Sequence, residues 1–352
     1  MMDWTDRHCR YFHRQISQRA LLYTEMIVSA AIRHGQRERL LGFNPSEYPL
    51  ALQLGGSDPA ELALAARVGE QYGYDEVNLN CGCPSDRVQS GAFGACLMNE
   101  PALVADCVRA MRDKVSVPVT VKHRIGLGRN EDYGFVRDFV GTVAAAGCSV
   151  FIVHARNAWL EGLSPKENRT VPPLRYQVVH QLAADFPGLS FWLNGGLVDH
   201  QSIDANIGQL PGVMVGRAAY DNPWILSEVD ARYGFAAHIA PDQAMQAGLD
   251  HSIASAAPGS QSGPDRAAVI AAMTAYARQQ VAQDVPLRRI TRHMLGLFNG
   301  LPGARAWRRT LSDASALQHN DPDLIARAYE QLARRSADAA ADEAGDQTAQ
   351  AV

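Results

Sequence analysis

The sequence has no long hydrophobic run and no large excess of charge of either sign. No stretch of 18 apolar residues occurs among its 352 residues, so we expect no transmembrane helix. The N-terminal segment MMDWTDRHCR lacks the apolar core of a signal peptide, which predicts a cytoplasmic protein. The formal net charge of −4 excludes a uniformly basic protein but is compatible with a local basic surface.

Cysteine is too sparse for a disulfide framework and too scattered for a metal site. The chain has six cysteines, without the close spacing of a small disulfide-stabilised domain. Cys81 and Cys83 form a C-x-C pair with no second pair of ligands at a suitable spacing, so no metal is predicted. No G-x-G-x-x-G motif follows a strand, and a Rossmann nicotinamide site is therefore not indicated.

Short apolar segments alternate with helix-length amphipathic segments, which is typical of βα repeats and a parallel sheet. We predict seven strands, at Leu21–Met26, Leu50–Leu54, Glu76–Cys81, Val117–His123, Ser149–Ala155, Ser190–Gly196 and Gly212–Gly216. The clearest predicted helices are Pro59–Tyr72, Pro101–Lys114, Phe135–Ala146 and Arg175–Ala184.

Seven parallel strands are one fewer than a TIM barrel contains. The chain opens with Met1, Met2 and Asp3, followed by a predicted helix start at Thr5, as in the loop after a first strand. We therefore predict a TIM (β/α)8 barrel that lacks its first strand in this chain because the true start lies upstream. The alternative is an open sheet of seven strands, for which a doubly wound topology is one option.

The composition changes after the last predicted strand. Residues 1–235 are predicted to form the barrel, and residues 236–265 form a linker rich in Ala, Gly, Ser and Pro. Residues 266–335 return to a helical pattern and are predicted to form a small helical domain. The Ala-rich and acidic tail, 336–352, is predicted to be disordered.

The most specific segment runs from Asn78 to Met98. A strand ends near Asn80, turns through Gly82 and presents Cys83 directly before Pro84, which stops the strand. Reactive groups of TIM barrels lie at this end of the strands. Because thiols are generally protonated at neutral pH, Cys83 is a candidate proton donor, with a buried structural cysteine as the alternative. Cys81 is interpreted as a packing residue.

Polar side chains end several other strands. Lys122 and His154 close two successive strands, and Gln53 has the corresponding place on an earlier one. Thr120, Lys122 and Arg124 alternate with apolar residues, so we expect them to face the barrel interior. A buried cation needs an anion or a carbonyl-rich ligand, which makes Lys122 a candidate ligand-binding residue.

Two glycine-containing turns follow the last two predicted strands. In TIM barrels the loops after strands seven and eight often bind phosphate through backbone N–H groups. The candidates for this role are Asn194, Gly195, Gly196, Gly216 and Arg217.

The segment Pro286–Arg309 is strongly basic. It contains six arginines and no acidic residue, which suits binding to a phosphate backbone. A solvated helix face is the alternative. A second basic group, Lys166 and Arg169, lies in a loop predicted at the barrel mouth.

Eight segments resemble the bacterial A-type subfamily of the tRNA-dihydrouridine synthases. They are DWTDRHCRYF, LALQLGGSDP, GYDEVNLNCGCPSDRV, FGACLM, VTVKHRIG, HARNAWLEGLSPKENR, VMVGR and ITRHMLGLFNGLPGARAWRR. The resemblance extends to about Leu332, apart from the linker. It implies a flavin-binding TIM barrel with a C-terminal helical domain that reduces uridine to 5,6-dihydrouridine in the D-loop of tRNA, at positions 20 and 20a.

The resemblance also implies cofactors and roles for the site residues. NADPH would reduce FMN, the flavin would transfer hydride to C6 of the uracil, and Cys83 would protonate C5. The FMN-binding residues would be Met1, Met2, Gln53, Lys122, His154, Asn194, Gly195, Gly196, Gly216 and Arg217. The tRNA-binding residues would be Asn80, Lys166, Arg169, Arg305 and Arg308.

The sequence departs from the subfamily pattern in three places. Met1 and Met2 are all that remains of an Ala-Pro-Met turn that contacts FMN in the family. Cys81 replaces a more usual valine and could form a reversible disulfide with Cys83. His123 stands where a small residue is expected.

Two other functions remain as alternatives: a flavin-dependent reductase of a free small pyrimidine, and a tRNA-binding protein that has lost catalysis. The basic helical region favours a tRNA substrate over a free base. We expect tRNA as the partner, no protein partner and a monomer.

Overall fold

The computed structural model describes residues 1–85, 91, 93–233 and 264–334. These residues form two compact units. The first contains residues 1–7 and 21–216, and the second contains residues 8–20, 217–233 and 264–334. The predicted linker, except residues 264 and 265, and the predicted tail lie outside the described residues. The predicted domain boundary at residue 235 stays a prediction.

The first unit is built on a parallel sheet. Its strands are β1 Leu22–Val28, β2 Leu50–Gly55, β3 Glu76–Cys81, β4 Val119–Arg124, β5 Val150–His154, β6 Ser190–Asn194 and β7 Gly212–Met214. Within the described residues, the seven strands lie side by side in sequence order. A doubly wound sheet reverses its strand order, so the doubly wound topology is wrong and the TIM-barrel type of fold is confirmed.

Helices follow the strands, as expected of βα repeats. In the first unit they are α2 Ser29–His34, α3 Arg37–Leu41, α4 Pro59–Tyr72, α5 Pro101–Arg112, α6 Tyr133–Ala145, α7 Tyr176–Asp185 and α8 His200–Ile207. The predicted helix start at Thr5 is wrong, because α1 spans Arg7–Arg14. The Thr5 hydroxyl donates instead to the carbonyl of Met1, at 3.3 Å.

Side chains of the central strands alternate between a helix-facing and an inner face. On the helix-facing side, the His123 ring packs against Phe139 of α6, with the ring centroids 5.2 Å apart. On the inner side, Glu76 accepts hydrogen bonds from Tyr23 and Thr120, each at 2.6 Å. The expected inward orientation of the polar residues of β4 is confirmed at Thr120.

The second unit is helical. Its helices are α1, already given, α9 Arg217–Asp221, α10 Val229–Arg232, α11 Arg266–Val281, α12 Arg288–Thr291, α13 Ala304–Ser312 and α14 Ala314–Gln318; residues 324–334 are also helical. Tyr11 of α1 stacks on Tyr276 of α11 with centroids 3.9 Å apart. Trp307 is buried and donates to the carbonyl of Met294 at 2.9 Å. Across the described ranges, no helix combines the length and the apolar character that crossing a membrane requires.

Candidate active site at the ends of the strands

The carboxyl ends of the strands bring the predicted polar residues together. Asn80 of β3 is in register with Lys122 of β4, and His154 of β5 is in register with Asn194 of β6. Parallel strands end at the same edge of the sheet, so their terminal side chains share one surface. Four residues that are widely separated in sequence therefore meet at one place.

Asn80 shapes the loop that carries the candidate proton donor. Its Oδ1 accepts hydrogen bonds from the backbone N–H groups of Gly82 and Cys83, both at 3.0 Å. The carbonyl of Cys83 accepts from Ala95 N–H at 2.9 Å, and the half-buried Sγ lies 3.5 Å from Ser85 Oγ. The chain after β3 is thus turned so that a free thiol is partly open to solvent.

The buried side chain of Gln53 supports Asn80 from the neighbouring strand. Gln53 Oε1 accepts a hydrogen bond from Asn80 Nδ2, and Gln53 Nε2 donates to the carbonyl of Thr24 at 3.2 Å. Because both amides are fixed in this way, Asn80 has a defined orientation toward the Cys83 loop.

Lys122 is a half-buried cation with an amide as its partner. Its Nζ donates to Asn194 Oδ1 at 3.0 Å, and Asn194 Nδ2 donates to the carbonyl of Met214 at 2.7 Å. Within the described residues no ion pair joins Lys122 to a carboxylate. Burial, followed by the repulsion of Arg124, lowers the pKa of Lys122 to about 7. The amine can therefore gain charge stabilisation from an anionic ligand.

His154 lies against the first glycine-containing turn. Burial, together with the charges of Arg124 and Lys122, holds the pKa of His154 well below its usual range, so the ring is neutral at pH 7. Gly195 has φ +109°, and a Cβ there would lie 2.5 Å from His154 Cδ2. The Tyr176 hydroxyl donates to the Gly195 carbonyl at 2.7 Å and fixes the turn. Only glycine fits this position.

The remaining predicted ligand residues differ in their surroundings. Gly196 has φ +73°, and its Cβ would lie 2.4 Å from Leu174 Cδ1. The nearest atom to a Cβ on Gly216 would be Met1 Sδ at 3.9 Å, so the backbone there has open space beside it. Met2 is exposed. Arg217 begins α9 and is part of the second unit.

These residues fit a flavin. Amide and amine groups at the strand ends can hydrogen-bond the polar edge of its ring system, and the open backbone at Gly216 leaves room for a phosphate. Near the described strand ends, no cluster of His, Cys, Asp or Glu suitable for a metal ion was found.

The predicted tRNA-binding residues are divided between the two units. In the first unit, Lys166 is exposed and Arg169 is half-buried at the end of a short 3₁₀ turn. In the second unit, Arg305 and Arg308 are exposed on α13, while Trp307 between them is buried. Helix α13 therefore exposes Arg305 and Arg308 to solvent and packs into the second unit through Trp307.

Sequence reasoning gave no role to one buried arginine. Arg124 was placed on the inner face of β4 by its alternation with apolar residues, but the pattern could not identify its partners. Its guanidinium donates to the carbonyl of Gly82, the residue before Cys83, at 3.1 Å.

Cys81 and His123, which depart from the subfamily pattern, both lie on the helix-facing side of the sheet. Cys81 is fully buried, and burial raises the pKa of its thiol well above its usual range. His123 is also fully buried, and burial lowers its pKa to about 4. Both therefore act as uncharged packing residues at neutral pH, while the Cys81–Cys83 disulfide stays a prediction.

The chain matches a known family along most of its length. Residues 1–335 match the family model described as dihydrouridine synthase. A protein from Synechocystis sp. named tRNA-dihydrouridine(20/20a) synthase is 51% identical over 330 residues, which cover 94% of this chain and 92% of the relative. Proteins of the same name are 49% identical in Xanthomonas axonopodis pv. citri, covering 96% and 93%, and 50% identical in Escherichia coli K12, covering 95% and 90%.

Proposed function

Because the chain belongs to the dihydrouridine synthase family, we propose its function in the terms of that family: it is a flavin-dependent oxidoreductase that reduces uridine to 5,6-dihydrouridine in tRNA. The names of its relatives specify positions 20 and 20a, and we propose the same two positions for this chain. The observation that carries the proposal is the half-buried thiol of Cys83. The backbone N–H of Cys83 donates to Asn80 Oδ1, and Asn80 is in register with Lys122 on the next strand.

We propose that the flavin is FMN and that NADPH is its reductant. The flavin, when reduced and bound, supplies the hydride that adds to C6 of the uracil. Lys122, Gln53, His154 and Asn194 would hydrogen-bond the ring system. The phosphate would lie at the backbone of Gly195, Gly196 and Gly216, with Arg217 as its cation and Met1 and Met2 beside it.

Cys83 is proposed as the catalytic proton donor. Addition of hydride at C6 leaves negative charge that is quenched by a proton at C5, and the Cys83 thiol provides that proton. Asn80 accepts hydrogen bonds from the backbone of Gly82 and Cys83, which fixes the direction from which the thiol approaches. A positioned general acid of this kind contributes about 10²–10⁴ in rate.

The substrate uridine lies within a folded RNA, so it must be turned out of its stack to reach the site. Lys166 and Arg169, with Arg305 and Arg308, are proposed to bind the phosphates of the tRNA, and Asn80 to contact the target base. Exposed arginines with no carboxylate partner among the described residues, such as Arg305, suit this role.

The test is to incubate the purified protein with FMN, NADPH and an unmodified tRNA transcript, and to locate dihydrouridine by mass spectrometry. We expect dihydrouridine at positions 20 and 20a, and none from free uridine under the same conditions. Product from free uridine at a similar rate would favour a reductase of small pyrimidines. An unmodified transcript after complete flavin reduction would overturn the proposed function.

A further inference from the structure

Arg124 is a buried guanidinium whose acceptors are all backbone carbonyls. It is 3% exposed, and no ion pair within the described residues gives it a carboxylate. Its Nε donates to Gly82 O at 3.1 Å, and its Nη1 donates to Asn168 O at 2.9 Å and Asn157 O at 3.3 Å. Burying a cation without a counter-ion is costly, so the bonds it makes must compensate for lost hydration.

Those carbonyls belong to two separate loops of the first unit. Gly82 directly precedes Cys83, the proposed proton donor. Asn168 lies between Lys166 and Arg169, the proposed tRNA-binding residues. One side chain therefore joins the loop that delivers a proton to the loop that binds the nucleic acid. The planar guanidinium, with several N–H donors at fixed angles, sets the geometry between its acceptors.

The side chain of Asn168 ties the second loop together through hydrogen bonds. Its side chain is fully buried, accepts a hydrogen bond from Trp159 N–H at 2.8 Å and donates to the Trp159 carbonyl at 2.8 Å. Its Nδ2 also lies within hydrogen-bond distance of the carbonyls of Leu163 and Ser164. Residues 159–168 are thus closed into a loop around one amide, and a shift of Asn168 moves Lys166 and Arg169 with it.

We propose that Arg124 and Asn168 are positioning residues that hold the basic loop at a fixed place relative to Cys83, so that a uridine of docked tRNA meets the thiol. This inference rests on the proposed roles of Cys83, Lys166 and Arg169. Neither residue is required to touch the substrate. Arg124 acts through main-chain atoms, Gly82 O on one side and Asn168 O on the other, and Asn168 acts through its side-chain amide, which holds that carbonyl in place.

The test compares Arg124→Lys, Asn168→Ala and the double variant in single-turnover reduction of saturating tRNA by pre-reduced enzyme. Lysine keeps the charge but cannot span the separate acceptors. We expect each single variant to slow product formation by about tenfold to a hundredfold, the loss typical of a small displacement of reacting groups. Flavin reduction by NADPH should be unchanged.

The double variant decides whether the two residues act on one connection. Arg124→Lys removes the link between the loops, and Asn168→Ala frees the carbonyl at its far end, so we expect the double variant to be no slower than the slower single variant. Rates that multiply would overturn the inference, as would a wild-type rate for Arg124→Lys or a parallel loss of flavin reduction. Arg175→Lys is the matched control, because Arg175 also bonds this region, through Glu131 O and Asn157 Oδ1, without reaching the Cys83 loop.

A second measurement follows the connection without tRNA. The alkylation rate of Cys83 by iodoacetamide, measured by peptide mass spectrometry, should change in Asn168→Ala, although Asn168 lies in the other loop. An unchanged rate in that variant would contradict the link. Cys83→Ala, measured in the same turnover assay, separates failure of the proposed function from failure of the positioning inference. Product formed by Cys83→Ala at the wild-type rate would remove the proposed role of Cys83. An inactive Cys83→Ala together with a fully active Arg124→Lys would overturn only the positioning inference.

Discussion

Lys122 is the side chain whose protonation is most sensitive to what occupies the site. Its pKa of about 7 means that the amine changes charge near neutral pH. A ligand that presents carbonyl or anionic oxygens to this amine favours its charged form and raises the pKa, so binding above pH 7 takes up a proton. Affinity for such a ligand must therefore weaken as pH rises through this range.

We predict that FMN affinity falls between pH 7.5 and 9 by up to about tenfold per pH unit, measured by fluorescence titration. The window lies above the second pKa of a phosphate monoester, so the ligand keeps its charge. His154, with its lowered pKa, stays neutral throughout and adds no slope. Lys122→Gln should bind FMN more weakly but with a flat pH profile, and a slope equal to wild type would exclude Lys122 as its source.

His123 places an ionisable group in the apolar layer between β4 and the helices. Its ring contacts Phe139 and Phe151, and its pKa lies at about 4, below the ordinary value of 6.5. The unfolded chain therefore binds this proton more readily than the folded chain does. The stability associated with neutral His123 is fully present above pH 6.5 and is lost as pH falls toward 4.

The substitution His123→Leu should make unfolding less sensitive to acid. Relative to wild type, we expect the variant to gain on the order of 3 kcal/mol between pH 6.5 and 4, measured by urea unfolding. His34→Gln is the control, because His34 is exposed. Parallel pH curves for His123→Leu and wild type would show that the buried ring does not resist protonation.

At the scale of elements, the strands were predictable because the local sequence alternates between short apolar segments and helix-length amphipathic segments. β3 was predicted with its observed bounds, Glu76–Cys81, and so was α4, Pro59–Tyr72. The last strand is shorter than predicted, since β7 ends at Met214, two residues before Gly216. The end of a strand depends on its pairing with a neighbour, which the pattern does not contain.

The turn after β6 shows why two successive glycines are needed there. Glycines after the last two predicted strands suggested a phosphate-binding turn, but only the structure gives the positive φ of Gly195 and the clash that a Cβ there would make with His154. A side chain at Gly195 would meet both backbone strain and a steric clash. The backbone conformation and the lack of space for a Cβ thus require glycine at both Gly195 and Gly196, whether or not a ligand binds there.

Replacing Gly195 with alanine should destabilise the first unit and weaken flavin binding. We expect a loss of about 1–3 kcal/mol in the free energy of unfolding, with lower FMN affinity because His154 must move. Gly188→Ala is the matched control, since a Cβ there meets nothing within 4 Å. Equal effects of the two substitutions would mean that the turn after β6 tolerates a side chain.

At the scale of the whole molecule, the unit boundaries were the feature that sequence could not give. Residues 8–20 belong to the second unit, where Tyr11 stacks on Tyr276 and His8 Nδ1 lies 2.7 Å from the Tyr276 hydroxyl. These contacts join positions more than 260 residues apart, and local periodicity carries no information about them. The basic character of Pro286–Arg309, in contrast, was readable directly, and its six arginines are exposed.

The exposed arginines of α13 should contribute to tRNA affinity and to its dependence on salt concentration. Reversing both charges, with Arg305→Glu and Arg308→Glu, should weaken tRNA binding and reduce the slope of log affinity against log salt by about 2. Flavin reduction should not change. The control reverses Arg109 and Arg137, which are exposed and paired with aspartates in the first unit. An unaltered slope for the α13 variant would refute the docking role.

The most direct test of the proposed mechanism is a comparison of Cys83→Ala with wild type in which two rates are followed in the same sample. One is the reduction of flavin by NADPH, and the other is the formation of dihydrouridine in tRNA. We expect Cys83→Ala to reduce its flavin at the wild-type rate and to form dihydrouridine about 10²–10⁴ times more slowly, because only the proton donor is missing. Dihydrouridine formed at the wild-type rate would contradict the assignment of Cys83 as the acid.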